Sequence, residues 1–331
     1  MLFYILKRVA AGAIVLFLIT VFTYTVFFVL SPDPAYMICG KTCTPDRIAD
    51  IHEKLGLDKP FWEQIWIFIS GLFVGREYGE GVNAVHCTAP CLGYSFQTSQ
   101  SVFEMIVQRL PVSATLAVGA AVLWLLAGIG GGLIGAVKKG TWWDRGIMVV
   151  ALSGISLPNY FVALALQYIL VVKLKWLPFP TAVPFADDPL QWFQAYIMPW
   201  FVLAFMYAAM YTRLVRANVI DTLGQGFIRT ARAKGLDPNI VMGKHALRPA
   251  LTPALTLFGM DFAALLGGAL ITETVFGLNG VGKLTADSIT QNDQPVIMAV
   301  TLLAAALVVV ANIVVDLLYS VLDPRVRVKA Q

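Results

Sequence analysis

The sequence predicts an all-α membrane protein with six transmembrane helices and a small external helical cap between the first and second of them. Of its 331 residues, 58% are hydrophobic and only 13% are charged, a balance typical of integral membrane proteins rather than of soluble domains. Six apolar runs are long enough to cross a bilayer, which takes about 20 residues. They cover approximately residues 9–30, 112–137, 147–172, 196–215, 253–276 and 296–318. Helices are expected because lipid offers backbone groups no other hydrogen-bond partner outside a closed barrel.

The first run follows Lys7 and Arg8 and is longer than the apolar core of a secretory signal peptide. No small-residue cleavage site precedes Pro32, so we expect an uncleaved first span.

The distribution of Lys and Arg predicts the orientation. With the N-terminus inside, the inner segments hold 15 of the 24 Lys and Arg residues, as the positive-inside rule requires. Both termini and the basic segment 221–251 are therefore expected in the cytoplasm, and residues 31–108 outside. The net charge of +4 follows from this bias and gives no indication of a nucleic-acid partner.

Three domains follow from this topology: an N-terminal transmembrane helix (1–30), an external cap (31–108) and a five-helix core (109–331) that includes a cytoplasmic loop (218–250). Within the cap, apolar residues recur at helical spacing in two stretches that meet around residues 58–60. The residues concerned are Ile48, Ile51 and Leu55, then Trp62, Ile65, Trp66 and Ile69.

All four cysteines of the chain, Cys39, Cys43, Cys87 and Cys91, lie in the predicted external cap as two C-x-x-x-C pairs. An oxidising compartment favours disulfides. A zinc site is the alternative, although zinc motifs more often use C-x-x-C spacing and the cap offers only His52 and His86 as further ligands. We therefore predict disulfides and no metal. Four cysteines allow three pairings, and the sequence does not choose among them.

Four polar residues within or near the spans, Asn159, Gln167, Asp261 and Glu273, are candidates for the lining of a translocation pathway. An ionisable group in a membrane usually faces a cavity or a partner. For Asp261, a structural hydrogen bond is an equally good interpretation. Asp316 is expected to pair with a basic inner residue.

Glycines crowd the second and fifth runs, which allows close helix packing or substrate contact, and Pro158 should kink the third run.

The string GLNGVGKL at 277–284 resembles a phosphate-binding loop, but Leu284 stands where the magnesium-binding hydroxyl belongs. It follows a membrane helix rather than a strand, so we expect no nucleotide there. No zinc-protease motif or nucleophile elbow is present in the sequence. The chain is therefore not expected to be an enzyme or to bind a cofactor.

The cytoplasmic segment contains GFIRTARAKGL, a helix candidate that Gly235 would end. A second short helix is expected to start at Asp237, with Pro238 in its first turn. Small residues allow a partner's groove to approach closely, and Arg and Lys offer charge-assisted hydrogen bonds. The segment is thus a docking element or, alternatively, a solvated basic loop.

This segment resembles the EAA loop of ABC importer permeases, although Thr230, Ala231, Arg232 and Ala233 precede Gly235 without the acidic residue. The wider string from RTARAKGL to VLDPRVR is similar to the first permease subunit of dipeptide and oligopeptide importers, and weaker matches reach LKRVAAGA, LGLDKPFWEQ and LGYSF. The external segments around the two cysteine pairs depart from that family pattern.

The resemblance implies a type I ABC importer permease fold in a bacterial plasma (inner) membrane, with an EAA-like loop that couples to a cytoplasmic ATPase. It implies a homologous second permease, one or two ABC ATPases that hold ATP and magnesium, an external solute-binding protein, a peptide substrate and surrounding membrane lipid. The loop comprises Arg229, Thr230, Ala231, Arg232, Ala233, Lys234 and Gly235.

Two other functions remain open from the residues alone. A stand-alone secondary transporter would need inverted repeats, which the sequence does not display. A membrane receptor or assembly protein would keep the basic docking loop without pore-lining polar groups. Within the importer family, nickel complexes and glutathione are further substrates.

Overall fold

The computed structural model describes residues 2–30, 35–36, 44–79, 84–181 and 183–322. The described chain is mostly helical, with two small hairpins. The first helices and the strands are α1 (Leu2–Tyr24), α2 (Pro45–Leu55), α3 (Phe61–Val74), β1 (Arg76–Tyr78), β2 (Val85–Cys87), β3 (Tyr94–Ser95) and β4 (Gln100–Ser101). The remaining helices are α4 (Val102–Val137), α5 (Trp142–Ser156), α6 (Asn159–Gln167), α7 (Pro189–Leu223), α8 (Gly226–Ala233), α9 (Pro238–Ile240), α10 (Leu247–Ala250), α11 (Thr252–Leu266), α12 (Leu270–Phe276), α13 (Val281–Gln291) and α14 (Gln294–Leu322). Wider π-type turns extend α1, α6 and α9 through Thr25–Val29, Tyr168–Lys173 and Val241–Ala246.

Within the described residues, four continuous helices are long and apolar enough to cross a membrane: Leu6–Val29, Val102–Val137, Pro189–Leu223 and Gln294–Leu317. Two bent helix pairs bring the number to six if each pair is one span. The first pair is broken at Pro158 and bent by 101°, and the second joins Pro238–Ala250 to Thr252–Leu266 at 49°. The predicted helical membrane class is confirmed, with four to six candidate spans, and the predicted kink at Pro158 is a full break.

The contacts divide the chain into two compact units. One contains residues 1–113, 266–270 and 279–331, and the other contains 114–265 and 271–278. In the first unit α1 packs along α14. Gly12 permits this approach, because a β-carbon there would lie 2.8 Å from Val309 Cγ1. Arg8 and Asp316 form a 3.0 Å ion pair between the same helices, which confirms that Asp316 pairs with a basic residue near the N-terminus.

The two predicted cap helices are present as α2 and α3. Tyr24 of α1 donates a 2.9 Å hydrogen bond to Gln64 Oε1 of α3, so the cap is attached to the first span. Gln64 in turn donates to the carbonyl of Leu57 at 3.0 Å, which fixes the turn between the two helices. Helix α4 begins at Val102 and therefore includes residues that the sequence assigned to the cap.

The antiparallel hairpins β1–β2 and β3–β4 complete the described part of the cap. Ser95 at the end of β3 donates a hydrogen bond to the buried carboxyl of Asp293, immediately before α14. Burial raises the pKa of the Asp293 carboxyl above its ordinary value. The hairpin is thus connected to the last span through a buried polar contact.

One glycine of the GLNGVGKL string, Gly282, serves backbone packing. Helix α13 begins at Val281, and a β-carbon on Gly282 would lie 2.6 Å from the backbone nitrogen of Leu270. Gly268 faces it with a φ of +118°, where a β-carbon would meet the Gly282 nitrogen at 2.3 Å. Gly282 of the apparent phosphate loop therefore lies where two backbones are in close contact.

In the second unit the glycines of α4 and α5 pack against α7. A β-carbon on Gly132 would lie 2.7 Å from Val215 Cβ and 2.9 Å from the carbonyl oxygen of Thr212. One on Gly154 of α5 would lie 2.9 Å from the carbonyl oxygen of Phe205. Small residues thus allow helix backbones to approach where lipid gives no hydrophobic drive for association.

We expect Gly132→Ala to lower the free energy of unfolding by about 1–3 kcal/mol, because the added methyl group overpacks a site bounded by backbone. Gly130→Ala is the matched control on the same helix, since a β-carbon there meets nothing within 4 Å, and it should stabilise by up to about 1 kcal/mol through helix propensity. Thermal melting in detergent measures both variants. Equal melting temperatures would contradict the close approach of α4 and α7.

Candidate coupling surface and pathway residues

Helix α8 stands on a small hydrophobic base at one end of α7. Its Ile228 and Ala231 are buried, and they pack with Val241 and Ala246 of the following π-type segment. Their spacing places both on one face of the helix. The apolar face fixes the helix to its support, and the predicted helix between residues 226 and 235 is confirmed.

The opposite face of α8 is exposed and basic. Arg229, Arg232 and Lys234 are exposed, and they are accompanied by the apolar side chains of Phe227, 48% exposed, and Leu236, 39% exposed. Thr230 and Ala233 are exposed as well, whereas Ala231 belongs to the buried base. Six of the seven predicted loop residues thus lie on the accessible side, together with two apolar residues that the sequence analysis did not include.

Gly235 ends this helix in a left-handed conformation with φ +75°. Its backbone nitrogen donates a hydrogen bond to the carbonyl of Arg232 at 2.9 Å. The backbone nitrogen of Leu236 donates one to the carbonyl of Ala231 at 3.3 Å. Glycine adopts this conformation without steric cost. A β-carbon at this position would meet nothing within 4 Å, so the tip is open to an approaching surface.

The segment after Gly235 leads back to the spans through a second helical stretch. Asp237 caps it by accepting a 2.8 Å hydrogen bond from the nitrogen of Asn239, as the sequence predicted. The stretch continues to Ala250, whose carbonyl accepts a 3.2 Å bond from Asn218 Nδ2 of α7. Helix α8 is therefore connected to α7 through this hydrogen bond and to α11 through the continuous chain.

Of the four candidate pathway residues, two contact helix α12 and a third lies on it. Asn159 Nδ2 donates to Thr272 Oγ1 at 3.1 Å, and Gln167 Nε2 donates to the carbonyl of Val275 at 3.2 Å. Glu273 lies on the same short helix and is completely buried. Asn159 and Gln167, the first and last residues of α6, thus bind α6 to α12.

Asp261 belongs to a different set of contacts. It accepts a 2.8 Å hydrogen bond from the hydroxyl of Tyr211. Around that hydroxyl, the ring of Trp124 lies 6.2 Å from the Tyr211 ring and 4.7 Å from the Tyr207 ring. The sequence analysis missed these aromatic residues, because aromatic side chains in an apolar run do not differ from ordinary core.

A partly buried ion pair was also missed. Arg216 of α7 donates two hydrogen bonds to the carboxylate of Asp144 on α5, at 2.6 and 2.8 Å. The fork geometry is characteristic of strong Arg–carboxylate pairs. The sequence analysis counted Arg216 only toward the Lys and Arg distribution and did not consider Asp144, which lies 72 positions away in the sequence.

Cys87 and Cys91 are joined by a disulfide. Both are buried in the cap with Tyr78 and Ile51. Cys39 and Cys43 lie outside the described residues, so their predicted crosslink stays a prediction. Within the described ranges, no three His, Cys, Asp or Glu side chains form a cluster suited to a metal ion.

The described chain is a multi-pass helical membrane protein that carries an exposed basic helix on an apolar base. The family described as the binding-protein-dependent transport system inner membrane component matches residues 128–328, and its N-terminal counterpart matches residues 1–117. The chain therefore belongs to this family of inner membrane components, the permease subunits of ABC importers. The secondary-transporter and receptor alternatives are not favoured.

Relatives cover nearly the whole chain. A peptide transport system permease protein of Brucella abortus (strain 2308) is 36% identical over 323 residues, 98% of each chain. A dipeptide transport system permease protein of Alkalihalophilus pseudofirmus is 32% identical over 347 residues, 99% of this chain and 100% of the relative. A glutathione transport system permease protein of Escherichia coli (strain K12) is 34% identical over 329 residues, with the same coverage.

We expect Tyr211→Phe to lower the free energy of unfolding by about 1–3 kcal/mol, because Asp261 loses a buried hydrogen-bond donor. Asp261→Asn keeps an acceptor oxygen facing the hydroxyl and should change stability by less than half as much. Thermal melting of the two variants in detergent makes the comparison. Equal losses would contradict a stabilising role for this hydrogen bond.

Proposed function

We propose that this chain forms half of the translocation pore of an ATP-driven importer for di- and oligopeptides. Family membership supports the importer, and the peptide substrate is supported by the names of the relatives, which include peptide, dipeptide and glutathione permeases. The partners under this proposal are a homologous second permease, one or two ATPases and an external solute-binding protein. ATP and magnesium act on the ATPases, and this chain holds no cofactor.

Under this proposal α8 is the element that enters a groove of the ATPase. The observation that carries the proposal is the two-faced packing of α8, with Ile228 and Ala231 fixed below and a basic, partly apolar face above. A rigid base matters because ATP binding shifts the pore only through its differential affinity for the two pore states. A flexible loop would move without moving the spans, whereas this packed base transmits the movement of α8 to α7 and α11.

The orientation follows from the same assignment. Docking on a cytoplasmic ATPase places α8 and both termini in the cytoplasm and the disulfide-linked cap outside, as the Lys and Arg distribution predicts. In this arrangement the membrane is the bacterial plasma membrane.

Asn159, Gln167, Asp261 and Glu273 are the proposed polar residues of the pathway. Three of them meet at α12, and Asp261 lies among aromatic rings near Tyr211. A carboxylate with neighbouring aromatic faces suits a cationic amino group, which is the charged end shared by all unblocked peptides.

Charge reversal on α8 tests the docking. We expect Arg229→Glu combined with Arg232→Glu to release the ATPase from the complex purified in gentle detergent, while the second permease stays bound. Lys173→Glu combined with Lys175→Glu is the matched control near the end of α6 and should keep both partners. Retention of the ATPase by the α8 variant would overturn the proposed role of this helix.

A pair of variants at Gly235 tests coupling without a change in backbone conformation. Asn and Asp both tolerate left-handed backbone, and they differ in charge. We expect Gly235→Asp to reduce labelled dipeptide uptake by cells about tenfold or more, because its carboxylate cancels part of the positive charge on the surface that meets the ATPase. A loss of about 1.4 kcal/mol in coupling free energy corresponds to tenfold. Gly235→Asn should retain uptake. Equal uptake by the two variants, at equal expression, would contradict the proposal.

A further inference from the structure

An apolar groove opens on the second unit between α4, α5 and α7. Its volume is about 760 Å³, in the range of small-molecule sites. Small residues create it, because short side chains leave space between the three helices. Among the residues that line it are Ala127, Gly131, Gly146, Ala151, Ala204 and Ala208.

The lining excludes a peptide as the natural occupant. Apart from indole nitrogens and the Thr212 hydroxyl, the side chains that line the groove are apolar. A peptide backbone buried there would lose its hydrogen bonds to water without replacement, which costs several kcal/mol per unpaired group. A hydrocarbon chain has no such cost.

One end of the groove carries positive charge and exposed indole rings. Trp142 and Trp143 line the groove and are 84% and 65% exposed. Lys138 Nζ lies 5.0 Å from the Trp143 ring centroid, and Arg145 Cζ lies 5.8 Å from that of Trp142. Tryptophan and basic residues at a span end are typical of the headgroup level of a bilayer.

The local geometry holds these cations in place and leaves their charge available. The turn before α5 is fixed by a 2.9 Å bond from the Gly140 nitrogen to Asp144 and by a 2.7 Å bond from the Thr141 hydroxyl to the Lys138 carbonyl. Asp144, the acidic residue of this turn, is already neutralised by Arg216. The positive charges of Lys138 and Arg145 thus remain to attract an anion.

We propose that this groove is a binding site for an anionic phospholipid. An acyl chain lies in the groove along Gly146 and Val150, and the phosphate of the headgroup contacts Lys138 and Arg145 beside the two tryptophans. Basic pockets between transmembrane helices bind anionic headgroups in this way. Charge favours lipid over a second permease here, because a permease of the same orientation brings its own basic residues to this level.

Native mass spectrometry of the full chain, with any subunits that copurify, tests the site with palmitoyl-oleoyl phosphatidylglycerol and phosphatidylcholine as probes. Wild type should retain phosphatidylglycerol in preference to phosphatidylcholine. Gly146→Leu should abolish retention, since its side chain enters the groove and a β-carbon there meets nothing within 4 Å. Gly130→Leu is the control: its β-carbon is equally unobstructed, and Gly130 is not among the residues that line the groove.

The headgroup contact is tested separately. Lys138→Gln combined with Arg145→Gln should weaken phosphatidylglycerol retention by about fivefold per cation removed, because each basic residue near an anionic surface contributes about 1 kcal/mol. Lys173→Gln combined with Lys175→Gln should leave it unchanged.

Three outcomes would overturn the proposal. Equal retention by Gly146→Leu and Gly130→Leu would place the bound lipid elsewhere. Equal retention of phosphatidylglycerol and phosphatidylcholine by wild type would show that Lys138 and Arg145 do not select the headgroup. Loss of the second permease from Gly146→Leu, with lipid retention unchanged, would make the groove a subunit interface. Melting temperatures of all variants exclude misfolding as the cause.

Discussion

Close approach of helix backbones without a hydrophobic drive is the constraint on which this structure depends. Lipid is as apolar as a leucine side chain, so helices associate through packing and a few polar contacts. Gly132 and Gly154 bring α4 and α5 against carbonyl oxygens of α7. That proximity places Arg216 of α7 beside Asp144 of α5. It also places Trp124 of α4 beside Tyr211 of α7, whose hydroxyl meets Asp261. The polar contacts are thus consequences of a register set by glycine.

The connection between α8 and the spans is short. The buried face of α8 rests on Val241 and Ala246, and the same helical stretch reaches Ala250, which Asn218 binds from α7. A displacement of α8 is therefore imposed on α7 and on the bend before α11. Packed elements of this kind move between discrete arrangements rather than deforming continuously, a property that suits α8 to the coupling role proposed for it.

The sequence predicted the features that depend on local pattern. Apolar runs located the spans, and small residues before Gly235 predicted α8 and its end. The start of α4 at Val102 was missed, because Glu104 and Arg109 interrupt the apolar run although they continue the helix. Strands β1 to β4 have two or three residues each, too few for an alternating pattern. The contacts of Asn159 with Thr272 and of Arg216 with Asp144 join distant parts of the chain, and a single sequence carries no signal for such pairs.

The energies of these contacts determine which of them can drive transport. A hydrogen bond between membrane helices contributes about 0.6 kcal/mol on average, whereas inversion of a two-state equilibrium from 1:99 to 99:1 takes about 5.5 kcal/mol. No single bond at Asn159, Gln167 or Tyr211 can therefore supply an energy of that size. The bias has to act on a whole packed helix. Helix α7 suits this role, since it runs unbroken from Pro189 to Leu223 and carries the contacts to α4, α5, α6 and the coupling segment along one length of about 52 Å.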